Sequence, residues 1–505
     1  MKLNIDTRRT IGKRDKMIYG HFIEHFHRQI YGGIFDPGNP LSDRDGFRLD
    51  VIEAMRKIKV PILRWPGGCF VSAHHWKDAV GPERKPSFDK AWRVEEPNTF
   101  GTDEYIAFCR KVGCEPYICT NAGTGNAEEM SDWVEYCNLS NEGPYAKQRI
   151  SNGHRDPYKV RYWSIGNENY GGWEIGAKSA EEWGRLVTES AKMMLRVDPQ
   201  TELSAAALAD LDWNINLLRN CGDRINWISI HDYWDAIHQT NDYADYEQSI
   251  AYTNHLDDKI VKVQGILNAM GLQNKIRIAF DEWNLRGWYH PNIHTVKQGL
   301  TTADYLTPRD LNDENCRYTM ADAVFTACFL NMCNRNCTVV GMANFAPVVN
   351  TRGCIFTHKD GIVLRSTYHV FDLYVNNLGE TVLDTYVENM PQIQVREKTG
   401  GTVGMDALDI ITTLDTHEGC IVVAAVNKDP HRAWDLELEW VGPFVSSVYT
   451  IQTLMGTGTE SYNDINHVDA EPGKPVTVNY NPGTVISLPA HSVNIIRFAN
   501  PVNKN

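Results

Sequence analysis

The chain has 505 residues, 42% of them hydrophobic, enough to fill the core of one large domain and a smaller one. Fifty basic against 64 acidic residues leave a net charge of −14, which argues against nucleic acid or an anionic membrane surface as partner and makes a neutral ligand the simpler expectation. The opening MKLNIDTRRTIGKRDK has no apolar signal-peptide segment and no long apolar run follows it, so a cytoplasmic protein without a membrane span is expected.

From residue 17 to about 345 one theme recurs: a short β-rich run, a loop of polar and aromatic residues, then an amphipathic helix. The runs are MIYGHFIE (17–24), VPILRWPGG (60–68), EPYICTNAG (115–123), KVRYWSIGNE (159–168), ELSAAA (202–207), NWISIHDYW (226–234), IRIAFDEWN (276–284) and CTVVGMANF (337–345). Helical patterns such as FRLDVIEAMRKI (47–58) and SAEEWGRLVTESAKMMLRV (179–197) lie between them. Such alternation implies parallel strands joined by right-handed crossovers, and eight units predict an α/β fold of the closed (β/α)₈ TIM-barrel type. An open doubly wound sheet fits less well. No G-x-G-x-x-G or G-x-x-x-x-G-K-[ST] follows the first strand, and polar residues end nearly every strand instead of gathering at one switch point.

Beyond about residue 375 the period changes to short alternating strands between Gly, Pro, Asn and Asp turns, predicting an antiparallel, jelly-roll-like β-sandwich. KLNIDTRRTIG near the start reads as a strand that could join it. The expected division is a barrel over 17–375 and a sandwich made of 1–16 plus 376–505. The twelve cysteines form no C-x-x-C pair and sit mostly in apolar runs, which reads as free buried thiols, with no metal and no cofactor implied.

In a TIM barrel the active site lies at the C-terminal ends of the strands. The polar residues ending these runs are Glu24, Arg64, Asn121, Asn167, Glu168, His231, Tyr233, Asp281, Glu282 and Asn344. Glu168 in YWSIGNENYGGW and Glu282 in IAFDEWNLRGW each close an apolar strand beside an aromatic residue. Cleaving an acetal needs a proton for the leaving oxygen and a carboxylate for the anomeric carbon, and retaining enzymes hold the two groups about 5 Å apart. Strands four and seven face each other across a barrel mouth, which permits that spacing. The pattern alone does not say which acid does which job.

The segments GHFIEH, LRWPGGCFVSAHHWKDAVGP, RYWSIGNENYGGW, ISIHDYW and IAFDEWN resemble the family 51 glycoside hydrolases, the retaining α-L-arabinofuranosidases. The resemblance implies that Glu168 is the acid/base and Glu282 the nucleophile. It also implies that Glu24, Asn167 and Tyr233 hold furanose hydroxyls, that Arg64 and His231 line the same subsite, and that Trp92 is a rim aromatic for the aglycone sugar. Asn121 is carried as a further binding residue from its strand end. Arabinose-containing oligosaccharides are the implied partners, and a homo-oligomer, a hexamer by the family's habit, is the implied assembly. Cys69 and Pro347 stand where many members have Asn and Gln, which bears on sugar preference.

Because one side chain must give a proton and later take one, Glu168 is expected to have a raised pKa, with Glu282 acting as a carboxylate beside Arg64. Rival readings are weaker. His21, Glu24 and His25 spell H-x-x-E-H, but zinc ligation at i and i+4 needs a helix, and YGGIFDPGNP breaks the segment. A non-catalytic sugar-binding protein has no use for two opposed glutamates. β-Xylosides or β-1,4-glucans are the runner-up substrates. The loops at 234–248 and 286–315 are long enough to cover the site.

Overall fold

The computed structural model describes residues 1–291, 299, 301–442 and 446–499. Eight parallel strands close a barrel: β1 (Gly20–Phe22), β2 (Ile62–Trp65), β3 (Glu115–Thr120), β4 (Tyr162–Ile165), β5 (Glu202–Ala206), β6 (Trp227–Asp235), β7 (Arg277–Arg286) and β8 (Val340–Phe345). Each falls on one of the eight runs, with β6 and β7 continuing slightly past theirs, to Asp235 and Arg286, and each pairs with its neighbours in chain order. The first run is only half strand. Lys16–Tyr19 forms a 3₁₀ turn because the Asp15 side chain accepts from the Met17 N–H at 3.1 Å, an Asx cap that delays the strand.

Helices α1 (Leu49–Lys57), α2 (Thr102–Val112), α3 (Ala127–Asn138), α4 (Ala180–Val197), α5 (Leu211–Cys221), α6 (Asp258–Ala269), α7 (Met320–Arg335) and α8 (Ser366–Asn377) follow the eight strands. In α4 a capping box joins Ser179 and Glu182, and Trp183, Val187, Ala191 and Met194 form the buried stripe. The floor of the barrel is filled by Met17, Ile62, Tyr117, Tyr162, Trp227, Ala279 and Met342. A closed floor leaves the opposite, C-terminal mouth as the open end of the barrel.

Two further sheets make a sandwich. One has eight strands, including Leu408–Asp415, Cys420–Asn427 and Ser492–Phe498; the other has four. The N-terminal segment enters both: Lys2–Ile5 pairs in parallel with Trp434–Trp440, and Thr10–Lys13 pairs with Thr381–Leu383. That parallel pair departs from a purely antiparallel sandwich, because the segment arrives from the far end of the chain and not through a hairpin. Strand Cys420–Asn427 shows how the sandwich meets the barrel. Val423 and Ala425 pack into the sandwich core, while Val422, Ala424 and Val426 pack into the barrel's helical core. Helix α7, caught between sheet and barrel, is buried almost all round and is tied down by Arg335 on Asp409 at 2.6 Å.

Leu3 is fully buried in the sandwich core, so Leu3→Ala is expected to cost about 2 to 4 kcal/mol. Urea unfolding followed by tryptophan fluorescence measures it, and an unchanged transition would show that the N-terminal strand contributes nothing to the sheet.

Candidate active site

Along β6 the side chains alternate. Ile228 and Ile230 point to the helical core, while Trp227 packs in the barrel floor and Ser229, His231 and Tyr233 engage acids in the interior. The neighbouring β7 breaks this rhythm. Ser229 is opposite Ala279, but His231 is opposite Glu282, so β7 carries one extra residue in a bulge. Consecutive acids Asp281 and Glu282 therefore both reach the interior, and Trp283 returns to the helical core.

Arg64, at the end of β2, is completely buried between these acids. Its Nη1 donates to Glu282 Oε1 at 2.6 Å, its Nε lies 3.4 Å from Asp281 Oδ2, and its Nη2 donates to Asn167 Oδ1 at 3.0 Å. Tyr233 donates to Glu282 Oε2 at 2.8 Å, and the Arg352 guanidinium stacks on the Tyr233 ring at 4.5 Å. Burial works against charge on Asp281, but Arg64, His231 and Ser229 outweigh it and hold the carboxyl down at about 2.

His231 links the two catalytic candidates: Nδ1 is 2.9 Å from Glu168 Oε1 and 3.6 Å from Glu282 Oε2, and Nε2 is 3.2 Å from Asp281 Oδ1. Burial opposes its charge, yet the three surrounding acids raise its pKa to about 10, so the imidazolium form prevails. Glu168 also accepts from Trp173 Nε1 at 2.7 Å. For Glu168 burial is the largest single influence and acts upward, but His231, Trp173 and Arg64 together bring it below the ordinary glutamate value. The expected raised pKa of Glu168 is thus corrected: it is shifted down, and the proton resides on His231, one hydrogen bond away.

These groups surround a cavity of about 550 Å³, walled by Glu24, Gly68, Cys69, Trp92, Asn167, Glu168, His231, Tyr233, Glu282 and Trp288 among others. Oxygen and nitrogen atoms of Glu168, His231 and Glu282 lie within 4.8 Å of one another. Gly67, at φ +146°, and Gly68 bring backbone against the acids. A Cβ on Gly67 would fall 2.2 Å from Glu24 Cγ, and one on Gly68 3.0 Å from Glu282 Oε1.

Residues 54–251 match the family model "Alpha-L-arabinofuranosidase 1 domain", and residues 281–492 match "Alpha-L-arabinofuranosidase C-terminal domain". The chain is 36% identical over 447 residues to an intracellular exo-α-(1→5)-L-arabinofuranosidase of Halalkalibacterium halodurans, covering 86% of each chain. The chain belongs to the α-L-arabinofuranosidase family. Among solved structures, the Thermotoga maritima α-L-arabinofuranosidase in an arabinose complex superposes with a TM-score of 0.87 at 33% identity, covering 99% of both chains. The family 51 enzyme of Thermotoga petrophila gives 0.86 at 33% identity, covering 98% of this chain and 99% of its own.

Within this family member the structure gathers most of the residues expected from sequence, but not all. Asn121 does not face the cavity. Its amide oxygen accepts from the backbone of Gly123, Thr124 and Gly125, and its nitrogen donates to His74 O, so it folds the loop after β3. Trp92 is buried, not on an open rim. It donates to Glu24 Oε1 at 3.0 Å and stacks with Trp288, whereas the exposed aromatic at the mouth is Trp173, 51% accessible. Cys69 lines the cavity; Pro347 is buried and does not.

The H-x-x-E-H residues diverge. His21 bonds Tyr19 O, Glu24 bonds Phe70 N and Trp92, and His25 bonds Glu96. Of the two long loops, His238 and Gln239 come from one and Trp288 and His290 from the other, whose residues 292–298 and 300 lie outside the described ones. Trp173, Trp288 and Glu174 escaped sequence reading; the nearest signal was the aromatic and acidic crowding of YGGWEIG after the G-N-E motif.

Burial and the Glu282 charge raise Glu24 to about 8 from 4.5, and His231 stands at about 10 against 6.5. Both folded-state values are raised, so each stabilisation is complete below the unfolded pKa and is lost as pH climbs toward the folded one. Stability is expected to fall between about pH 5 and 10. Glu24→Gln should flatten the lower part of that decline and His231→Gln the upper part. Urea unfolding at pH 5, 7 and 9 checks this; slopes unaltered in both variants would contradict it.

Proposed function

We propose that this chain is an exo-acting, retaining α-L-arabinofuranosidase that removes terminal arabinofuranosyl groups from oligosaccharides by double displacement. One observation carries the reading: the carboxyl groups of Glu168 and Glu282 approach within 4.8 Å across a walled cavity, near the spacing of retaining enzymes and too close to seat a water for inversion. Family membership supplies the sugar.

In the first step Glu282 attacks the anomeric carbon as the bond to the leaving oxygen breaks. That oxygen takes the proton shared by Glu168 and His231. Arg64 and Tyr233 hold Glu282 by its two oxygens and so fix its line of attack. Once Glu282 is esterified its negative charge is gone, and the affinity of the Glu168 and His231 pair for a proton falls. Glu168 is then ready to take a proton from the water that releases the sugar. Glu24 carries its own proton at neutral pH. With Oε1 accepting from Phe70 and Trp92, its other oxygen can donate to a sugar hydroxyl. A relative named as intracellular is consistent with a cytoplasmic setting, and among the described residues no helix is long and apolar enough to cross a membrane.

The test is a panel of aryl α-L-arabinofuranoside, β-D-xyloside, β-D-glucoside and β-D-galactofuranoside, with the arabinofuranoside expected to be preferred. Glu282→Ala should lose about 10⁴-fold or more in kcat, and Glu168→Ala about 10²- to 10⁴-fold on substrates with poor leaving groups. Azide should rescue Glu168→Ala to the retained glycosyl azide and Glu282→Ala to the inverted one. A retained product from Glu282→Ala would reverse the assignment.

A further inference from the structure

A second carboxyl lies beside Glu168 that the two-step reaction leaves unused. Glu174, in the loop after β4, is 4% exposed and does not line the cavity. Ser72 Oγ donates to its Oε1, and Asn167 Nδ2 donates to its Oε2 at 3.5 Å. Its carboxyl oxygen, the Cys69 sulfur and a Glu168 oxygen lie within 4.8 Å of one another.

The titratable groups that face Glu174 are Cys69, from the loop after β2, Glu168 and Tyr170 of its own loop, and Glu282 of β7. None is a cation, and among the described residues no Lys, Arg or His forms an ion pair with it. Asn167 has its oxygen committed to Arg64, so its nitrogen must turn toward Glu174. The result is one chain of contacts, Glu282 to Arg64 to Asn167 to Glu174, running from the nucleophile to beside the acid/base.

We propose that Glu174 is a positioning residue for the acid/base step, orienting the Asn167 amide and, when ionised, holding the proton shared by Glu168 and His231 to higher pH. This rests on the assignment of Glu168 as acid/base. The physical basis is like-charge repulsion. Two carboxyls within 5 Å in a poorly hydrated site do not ionise independently, and their protons leave in two steps that belong to the pair. Burial and the charge of Glu168 push Glu174 up to about 7, into the neutral range. As pH rises through that range Glu174 acquires charge, and that charge opposes loss of the proton that His231 shares with Glu168.

The test compares pH profiles of kcat/KM on 4-nitrophenyl α-L-arabinofuranoside and on an arabino-oligosaccharide. Gln at this position can accept from Asn167 and donate to Ser72, so Glu174→Gln keeps both contacts and removes only the charge. Its alkaline limb is expected to move down by about one pH unit, with KM below pH 6 within about two-fold of the parent. Glu174→Ala also releases Asn167 and should add a rise in KM of about five- to tenfold. Ser72→Ala, which withdraws the donor that favours ionised Glu174, should move the limb in the same direction by less. An unshifted limb in a folded Glu174→Gln overturns the proposal. Glu168→Ala, measured alongside, separates the two ideas. If azide yields the retained glycosyl azide with this variant, the acid/base assignment stands whatever Glu174→Gln does. If azide yields no such product, the assignment itself fails.

Discussion

Arg64 is a full positive charge sealed inside a protein barrel, and an isolated ion in such a place would cost many kcal/mol in lost hydration. It is tolerated because Asp281 and Glu282 meet it at 3.4 and 2.6 Å, and Asn167 takes a further N–H. Two adjacent residues of one strand can both do this only because β7 is bulged beside Ser229 and His231. The same pairing fixes Glu282, the proposed nucleophile, before any substrate arrives. Orientation of Glu282 is therefore established during folding and does not have to be met from binding energy later.

The distribution of protons follows from that arrangement. Asp281, Glu168 and Glu282 surround His231, and their combined field keeps the imidazole charged despite its burial. Farther from the cations, Glu24 and Glu174 have little to offset desolvation and sit high, at about 8 and about 7. One small cavity thus holds carboxyl groups in both protonation states near neutral pH. A site that must accept a positive anomeric centre, donate a proton and then recover it uses both states.

The barrel serves this chemistry by closing one end and opening the other. Large side chains fill the floor, and the sandwich is not a separate appendage, since strand Cys420–Asn427 contributes alternate residues to two cores. Much of this was legible in the chain. Short β-rich runs located all eight barrel strands, and the polar residues at their ends include Arg64, Asn167, Glu168, His231, Tyr233 and Glu282. Asn121 was misread because a strand-end amide is as useful for tying a loop as for holding a sugar, and the backbone N–H groups of Gly123, Thr124 and Gly125 claimed it. Glu174 was overlooked because it lies in a loop, where no periodicity says which way a side chain points. The proton expected on Glu168 was found on His231, since a pKa depends on distances to charges that are remote in sequence.

The order of apolar and polar residues by itself determined the barrel, the sandwich and two opposed glutamates, because secondary structure and burial respond to local periodicity. Only the tertiary structure decided that Asp281 and Glu282 both face inward, that the proton sits on His231, and that Glu174 lies beside Glu168. Those depend on a strand bulge, on charges brought together from different βα units, and on the exclusion of water between them, none of which is written in any one segment of the chain.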